Sequence, residues 1–438
     1  MPERNGYIRR LPVSVFGVCL GTAGQVPMWN SLANSKAMKC FDIPQVVAQV
    51  FWVIAVVLLT ILAALYCWKI VLHPRSVRTE FHCYYQSNFF TLPFLCLIIL
   101  SASLPPAWFA GEPSPLLLLL LVPLVAIHVY LYGEWMYGVN RSLRLANPAF
   151  QLAVVGNFFG SLLASNAGQS ELAIGLFTVG IMYLSLTLAC LHAANTRIKR
   201  DCTGAILQEQ TRRRLVKLDE DLHPLLESTP GRVQHNPWSP MSEIWALPPG
   251  LHPTIFLCLA PPSVAALAWA NINDGVCDRL CKSLVSIPIF FLLTMSIHLH
   301  RFFRRTPFSL ASWAFTFPSA ALGTASIKYA EYASPGFSYL SFALCCVAIT
   351  FWTMATLLSL YMLGTRGLTA FLSPGSEKTS DVHFLVGGAA ARLQCEEGSL
   401  EVDRSVVHRV HDVEQIGQCG APFLDPRDKT HQACETSI

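Results

Sequence analysis

The sequence predicts an all-α membrane protein, with ten transmembrane helices paired as five helical hairpins around a central pore. Three observations carry this. Only 13% of the 438 residues are charged while 53% are hydrophobic, against roughly 25% charged in soluble domains. Apolar stretches of the length that a ~30 Å hydrocarbon core demands, roughly 20 residues each, recur through most of the chain, and mean hydropathy is +0.44. Positive charge is concentrated in alternate connections. The composition also excludes classes of function. A net charge of +4 is no electrostatic footprint for nucleic acid. Of the 15 cysteines, Cys19, Cys96, Cys190, Cys258, Cys345 and Cys346 lie inside apolar runs. Cysteine acts there as a small hydrophobe, so the count is no disulfide framework.

In order, the first five apolar segments are Leu11–Ala33, Gln45–Trp68, Asn88–Leu104, Ser114–Glu134 and Ala149–Asn166. The sixth to tenth are Glu171–Asn195, Pro253–Ile272, Lys282–Leu299, Pro307–Tyr332 and Phe337–Leu363. The third and fifth are short, which a tilted or kinked helix shielded by its neighbours allows. Residues 1–10 read as a short cytoplasmic N-terminus with no room for a transit peptide. The first apolar run lacks a small-residue cleavage site and reads as a retained helix. Helices one to six occupy 11–196 and helices seven to ten 251–364. Between them, 197–250 is a cytoplasmic loop with an amphipathic helix over Gln208–Leu226 and then Pro237, Pro240, Pro248 and Pro249. Residues 365–438 form a polar cytoplasmic tail, expected to be partly disordered for want of apolar residues. Its Cys395, Cys419 and Cys434 lack the spacing of metal ligands.

Charge orients the chain, because cytoplasmic loops are enriched in Lys and Arg. With the N-terminus inside, the inner connections hold 19 Lys and Arg, Lys69 among them, with Arg75, Arg78, Arg301, Arg304 and Arg305 at the inner mouth. The outer loops hold four: Lys36, Lys39, Arg279 and Lys282. Helix breakers alternate too. Odd-numbered segments carry 14 Gly or Pro, even-numbered ones 6, and the second and tenth none. Proline frees backbone carbonyls that protein or a water-filled cavity must satisfy. Kinked odd helices therefore surround an aqueous path and straighter even helices face lipid. Gly17, Gly21, Asn157, Gly160, Pro261 and Thr316 are the pore-lining candidates on the odd helices.

The centres of the ten segments contain no Asp, Glu, Lys or Arg, the groups that proton relays and cation sites require. His128 lies inside the fourth segment, where a lone histidine on a straight outer helix reads as a structural hydrogen-bonder. The interior polar groups are neutral, among them Thr22, Gln25, Asn30, Asn157, Ser161, Ser263, Thr316, Ser319, Thr324 and Ser326, most of them expected to bond between helices. No metal site, cofactor motif or catalytic constellation is visible. A neutral path behind a basic mouth favours anions by diffuse potential and weak contact, as conduction requires.

Several runs, in the same order, resemble the plant slow-type (guard-cell) anion channels and their superfamily of bacterial tellurite-resistance proteins and fungal dicarboxylate and sulfite transporters. They are FGVCLG at 16–21 through Trp29, ANP at 146–148, VVGNFFG at 154–160, and LHP at 251–253 leading to Ala260, Pro261, Ala268 and Trp269. The most specific is SWAFTFP at 312–318, followed by IKYAE at 327–331. The similarity spans roughly residues 6–365. It implies ten helices as five hairpins around a quasi-fivefold pore, one pore per protomer of a homotrimer, in the plasma membrane. It also implies that a phenylalanine on the ninth helix, here Phe317 followed by Pro318, occludes the pore. Phe315 would pack outward.

The chain departs from the family in three places. About ten residues precede the first helix where the plant channels carry a long kinase-modified domain. HCYYQS at 82–87 stands where the family reads like His-Pro-Val-Arg. The 197–250 loop, with Ser228, Thr229-Pro230 and Ser239-Pro240, is a candidate replacement site for a regulatory kinase. Cys277 and Cys281 in the outer loop form either a disulfide or two free thiols. The leading expectation is a gated passive channel for nitrate and chloride, with inorganic anions or small organic acids and membrane lipid as its partners. The alternatives are a carrier for a C4-dicarboxylate such as malate, or for sulfite, and a receptor without flux.

Overall fold

The computed structural model describes residues 6–83, 86–103, 119–137, 148–192, 249–305 and 308–372. Helices are the only regular secondary structure among them. Residues 373–438 of the tail, nearly all of the 197–250 loop with its expected helix Gln208–Leu226, and the start of the fourth segment lie outside the described residues, while residues 365–372 continue the last helix.

The odd-numbered segments share one construction. Each opens with a 3₁₀ stretch and continues as an α-helix. The stretches are Val13–Val15, Gln86–Thr91, Pro148–Phe150, Pro249–Leu259 and Leu310–Phe315. The α-helices that follow are Phe16–Ala23 with Gln25–Asn34, then Leu92–Ala102, Gln151–Asn166, Ala260–Ile272 and Thr316–Ala330. Prolines explain three of the breaks. Pro93, Pro261, Pro262 and Pro318 fall in the first turn of their α-helices, where the missing N–H would have had no helical partner. The even-numbered segments are longer: Val46–Leu72, Ser170–His192, Arg279–Arg305 and Pro335–Leu372, with Leu121–Tyr137 the shortest. The last helix is interrupted at Gly367, whose φ of 76° only glycine adopts freely.

These helices form two layers. The first odd segment packs on the third, the third on the fifth, the fifth on the seventh, the seventh on the ninth, and the ninth on the first, which closes a ring. The second segment backs the first and third, the fourth backs the third and fifth, and the eighth backs the seventh and ninth. The sixth lies on the fifth, through Ser161 donating to the Ala173 carbonyl and Gln151 to Thr187. Burial follows the layers. Within the apolar stretch of each span, 89% of the fifth and 67% of the seventh is buried, against 17%, 22%, 22% and 28% of the second, sixth, eighth and tenth. A helix that leaves that much apolar surface uncovered requires lipid as its solvent.

Among the described residues, six helices are long and apolar enough to cross a membrane alone, or seven if Pro74–His82 and Gln86–Ala102 count as one bent span. Helix length and composition thus give six or seven candidate crossings among the described residues, and ten belongs to the proposal below. Lipid gives no hydrophobic drive between helices, so the ring closes through small residues and polar contacts. A Cβ placed on Gly21 would clash with Thr316 and lie 2.9 Å from Trp313 Cε3. Gly21→Val is expected to pry the first segment from the ninth at a cost of about 1–3 kcal/mol, read as a lower thermal midpoint of the detergent-purified protein. An unchanged midpoint would show that this contact yields freely.

Most interior hydroxyls do not join helices, contrary to expectation. Ser263, Thr316, Ser319, Thr324 and Ser326 donate to carbonyls three or four residues back on their own helix. A carbonyl one turn back on the same helix lies within reach of such a hydroxyl without any neighbour. Besides Ser161 and Gln151, tryptophans bond between helices: Trp313 to Ser359, Trp352 to Thr22, and Trp52 to the Leu100 carbonyl.

Candidate functional site: the occluded centre of the ring

At the centre of the ring lies a cavity of about 130 Å³, well above the roughly 10–15 Å³ that one water needs. Every odd segment contributes to it. The first supplies Gly24 and Pro27, the third Ile99, Ala102 and Ser103, the fifth Phe159 and Leu162, and the seventh Leu267. The ninth supplies Phe317, Ala321 and Thr324. The wall is mostly apolar and uncharged, with the Ser103 and Thr324 hydroxyls as its polar side chains.

Phe317 sits at one end. It is 2% exposed and is the second residue of Thr316–Ala330, immediately after the 3₁₀ stretch. Ala321 and Thr324 follow it along one helix face, so the cavity lies on the C-terminal side of the ring. Two contacts hold the phenyl. A Cβ on Gly24 would come within 2.8 Å of Phe317 Cδ2, so only glycine permits this approach. On the other side the Phe159 ring stands 6.0 Å away at 44°. Pro318, buried in the same turn, ends the 3₁₀ stretch because it cannot donate a backbone bond. Phe315 points the other way, into Phe256 at 4.5 Å and Phe351 at 5.6 Å.

The wall of this cavity includes none of the six pore-lining candidates. Gly21 and Thr316 form the contact between the first and ninth helices. Asn157 is turned outward, its Oδ1 3.3 Å from His128 Nδ1 on the fourth segment. Gly160 faces Leu121 and Leu176 on the fourth and sixth. Pro261 is buried in the first turn of its helix and is absent from the cavity wall. Gly17 shares the helix face of Gly24, two turns earlier, and opens onto empty space. These placements have one cause. Glycine and asparagine mark close packing as readily as they mark a path, and the wall is built from ordinary apolar residues. One signal was available, the i+4 and i+7 positions from Phe317, which are Ala321 and Thr324.

The charged candidates divide. Arg75 and Arg78 are exposed on the short helix Pro74–His82. Arg301, Arg304 and Arg305 end the eighth helix, and their side chains lie outside the described residues. Lys69, counted from sequence as an inner-loop charge, is in the second helix and fully buried. Its Nζ donates to the Leu11 carbonyl at 2.6 Å and to Glu80 at 2.7 Å. At the other end, Lys328 pairs with Glu331 at 3.0 Å, and Ser35 donates to the same carboxylate. Cys277 and Cys281 are free, buried thiols, not a disulfide. Asp278 between them caps the eighth helix by accepting from the Cys281 N–H at 2.9 Å. That bond and one from Trp269 hold the Asp278 carboxyl below its ordinary range. Its capping contribution is therefore present at neutral pH and lost only as pH falls below that range. No cluster of metal-ligating residues occurs among the described residues.

A closed ring of broken helices, backed by lipid-facing helices and centred on an uncharged cavity, defines a multi-pass membrane protein with a cavity on the axis of its inner layer. The sequence comparisons narrow the class. The family model described as voltage-dependent anion channel matches residues 10–195 and 241–360, and the chain belongs to that family. It is 32% identical over 367 residues to the S-type anion channel SLAH3 of Arabidopsis thaliana, covering 84% of this chain and 49% of the relative. It is 29% identical to the guard cell S-type anion channel SLAC1 of the same plant, over 79% of this chain and 56% of that one. A tellurite resistance protein TehA homolog of Haemophilus influenzae is 23% identical, over 73% and 81%. The chain spans about half the length of the first two.

Proposed function

We propose that this protein is a gated, passive anion channel conducting nitrate and chloride, held shut by Phe317. The observation that carries the reading is the convergence of all five odd segments on one uncharged cavity that ends at a buried phenyl ring. Family membership supplies the ion class. An anion in the cavity would meet the hydroxyls of Ser103 and Thr324, the latter already donating to the Ala320 carbonyl at 2.9 Å. Such contacts are weak, and weak contacts allow rapid exit. Selectivity then follows dehydration cost, so nitrate passes more readily than chloride. In this reading the chain crosses the membrane ten times with the inner ends of the odd helices at the cytoplasm. It assembles as a homotrimer in the plasma membrane and is regulated through the 197–250 loop by a kinase.

Voltage clamp of oocytes in chloride, nitrate and malate baths tests this. A reversal potential that follows the anion gradients, with nitrate more permeant than chloride, is the expected result. Proton-driven uphill malate or sulfite uptake without such currents would replace the channel with a carrier.

A further inference from the structure

The short helix Pro74–His82 follows the second span. It is bent by 110° from the helix that follows it, so it runs across the direction of the bundle. One face is fixed to the protein. Glu80 accepts from Lys69 at 2.7 Å and from Tyr66 at 2.9 Å on the second segment. Phe81 meets Phe90 at 5.1 Å on the third and stacks on Tyr130 at 5.0 Å on the fourth. The helix therefore fills the gap between two outer-layer helices, in front of the inner end of the third segment.

Its other face is basic. Arg75, Arg78 and His82 are spaced i, i+3 and i+7, on one side of the helix, and all three are exposed. Glu80 lies on the opposite side, while Phe81 and His82, whose Nδ1 is 3.5 Å from the Tyr130 hydroxyl, border the fourth segment at one flank, so the arginines point away from the second helix and not into the inner mouth. Neither arginine has an ion-pair partner among the described residues. The last turns of the second helix beside them are apolar and bare, with Trp68 55% and Val71 79% exposed. An apolar, Trp-bearing surface that gives way to paired arginines on a helix lying across the bundle is the profile of a membrane interface.

We propose that Arg75 and Arg78 form a binding site for the phosphate headgroup of an anionic phospholipid in the inner leaflet. The assignment to the inner leaflet rests on the orientation given above. Guanidinium groups match phosphate geometry and stay charged at any physiological pH. The helix that would hold the headgroup also carries Glu80, so the lipid would steady the support of Lys69.

The test is lipid retention, read without any current. Wild type, R75Q/R78Q, R75K/R78K and the outer-loop control K36Q/K39Q are reconstituted in nanodiscs of phosphatidylcholine with a minor share of phosphatidylserine. Lipid co-purifying after mild detergent extraction is then counted by native mass spectrometry. Wild type, R75K/R78K and the outer-loop control are expected to retain phosphatidylserine selectively. R75Q/R78Q is expected to lose the preference, on the order of fivefold per arginine. Equal retention by R75Q/R78Q and wild type overturns the site. So does a change of oligomeric state on R75Q/R78Q with lipid retention intact, which would make this face a contact between copies. Either failure leaves the channel reading standing, and a chain without currents leaves the lipid result standing.

Discussion

Phe317→Ala is expected to raise anion current by roughly tenfold or more over wild type, because an apolar constriction blocks ions by excluding water. The ring closes one end of a cavity of about 130 Å³ and touches Gly24 on one side and Phe159 on the other. Its removal joins that space to the open region beyond Gly17. The variant is expected to fold, since the ring borders an existing cavity and the interlocked contacts of the ninth helix lie elsewhere. Trp313 donates to Ser359, and Gly323 packs against Met28 and Cys345. Reversal potentials are expected to stay near those of wild type if dehydration, and not the ring, sets selectivity. Phe317→Leu is expected to fall between the two. Currents no larger than wild type at equal surface expression would remove Phe317 from the gate.

Glu80→Ala is expected to destabilise the protein by about 3–5 kcal/mol, the usual consequence of stranding a buried charge. Lys69 has no exposed side-chain surface, and its ammonium is satisfied by one carbonyl and the Glu80 carboxylate. The substitution removes the counter-charge and leaves the ammonium where water does not reach. Glu80 is 17% exposed at its side chain and still accepts from Tyr66, so Lys69→Met is expected to be milder. The double variant Lys69→Met/Glu80→Met is expected to recover much of the loss, because neither charge then remains to be desolvated. Thermal unfolding of the purified protein, followed by tryptophan fluorescence, reads all three. A Glu80→Ala midpoint equal to that of wild type would mean that water reaches Lys69.

Much of the architecture was legible in the chain. The excess of Gly and Pro in odd segments marks the inner layer, because a broken helix leaves backbone groups that protein must surround. The buried fifth and exposed sixth segments follow that prediction. Phe317 was reached through resemblance to a family and not through periodicity, since one phenylalanine among 26 carries no mark of its own. The lining was not legible. Asn157 and Gly160 belong to the right helix but face outward, to His128 and Leu121. Ile99, Leu162 and Leu267 face the cavity and read as ordinary core.

The sequence by itself determined a helical membrane protein, its alternation of broken and straight segments, and spans whose centres carry no charge. These follow from composition and local backbone chemistry, which each segment expresses whatever its neighbours. Only the tertiary structure decided which face of each inner helix meets the axis, because helix rotation is set by contacts such as Gly24 against Phe317 and Gly21 against Trp313. It alone also turned Lys69 from a loop charge into a buried one. Its partners at Leu11 and Glu80 lie 58 and 11 residues away in the chain, and no local pattern records a pairing made by folding.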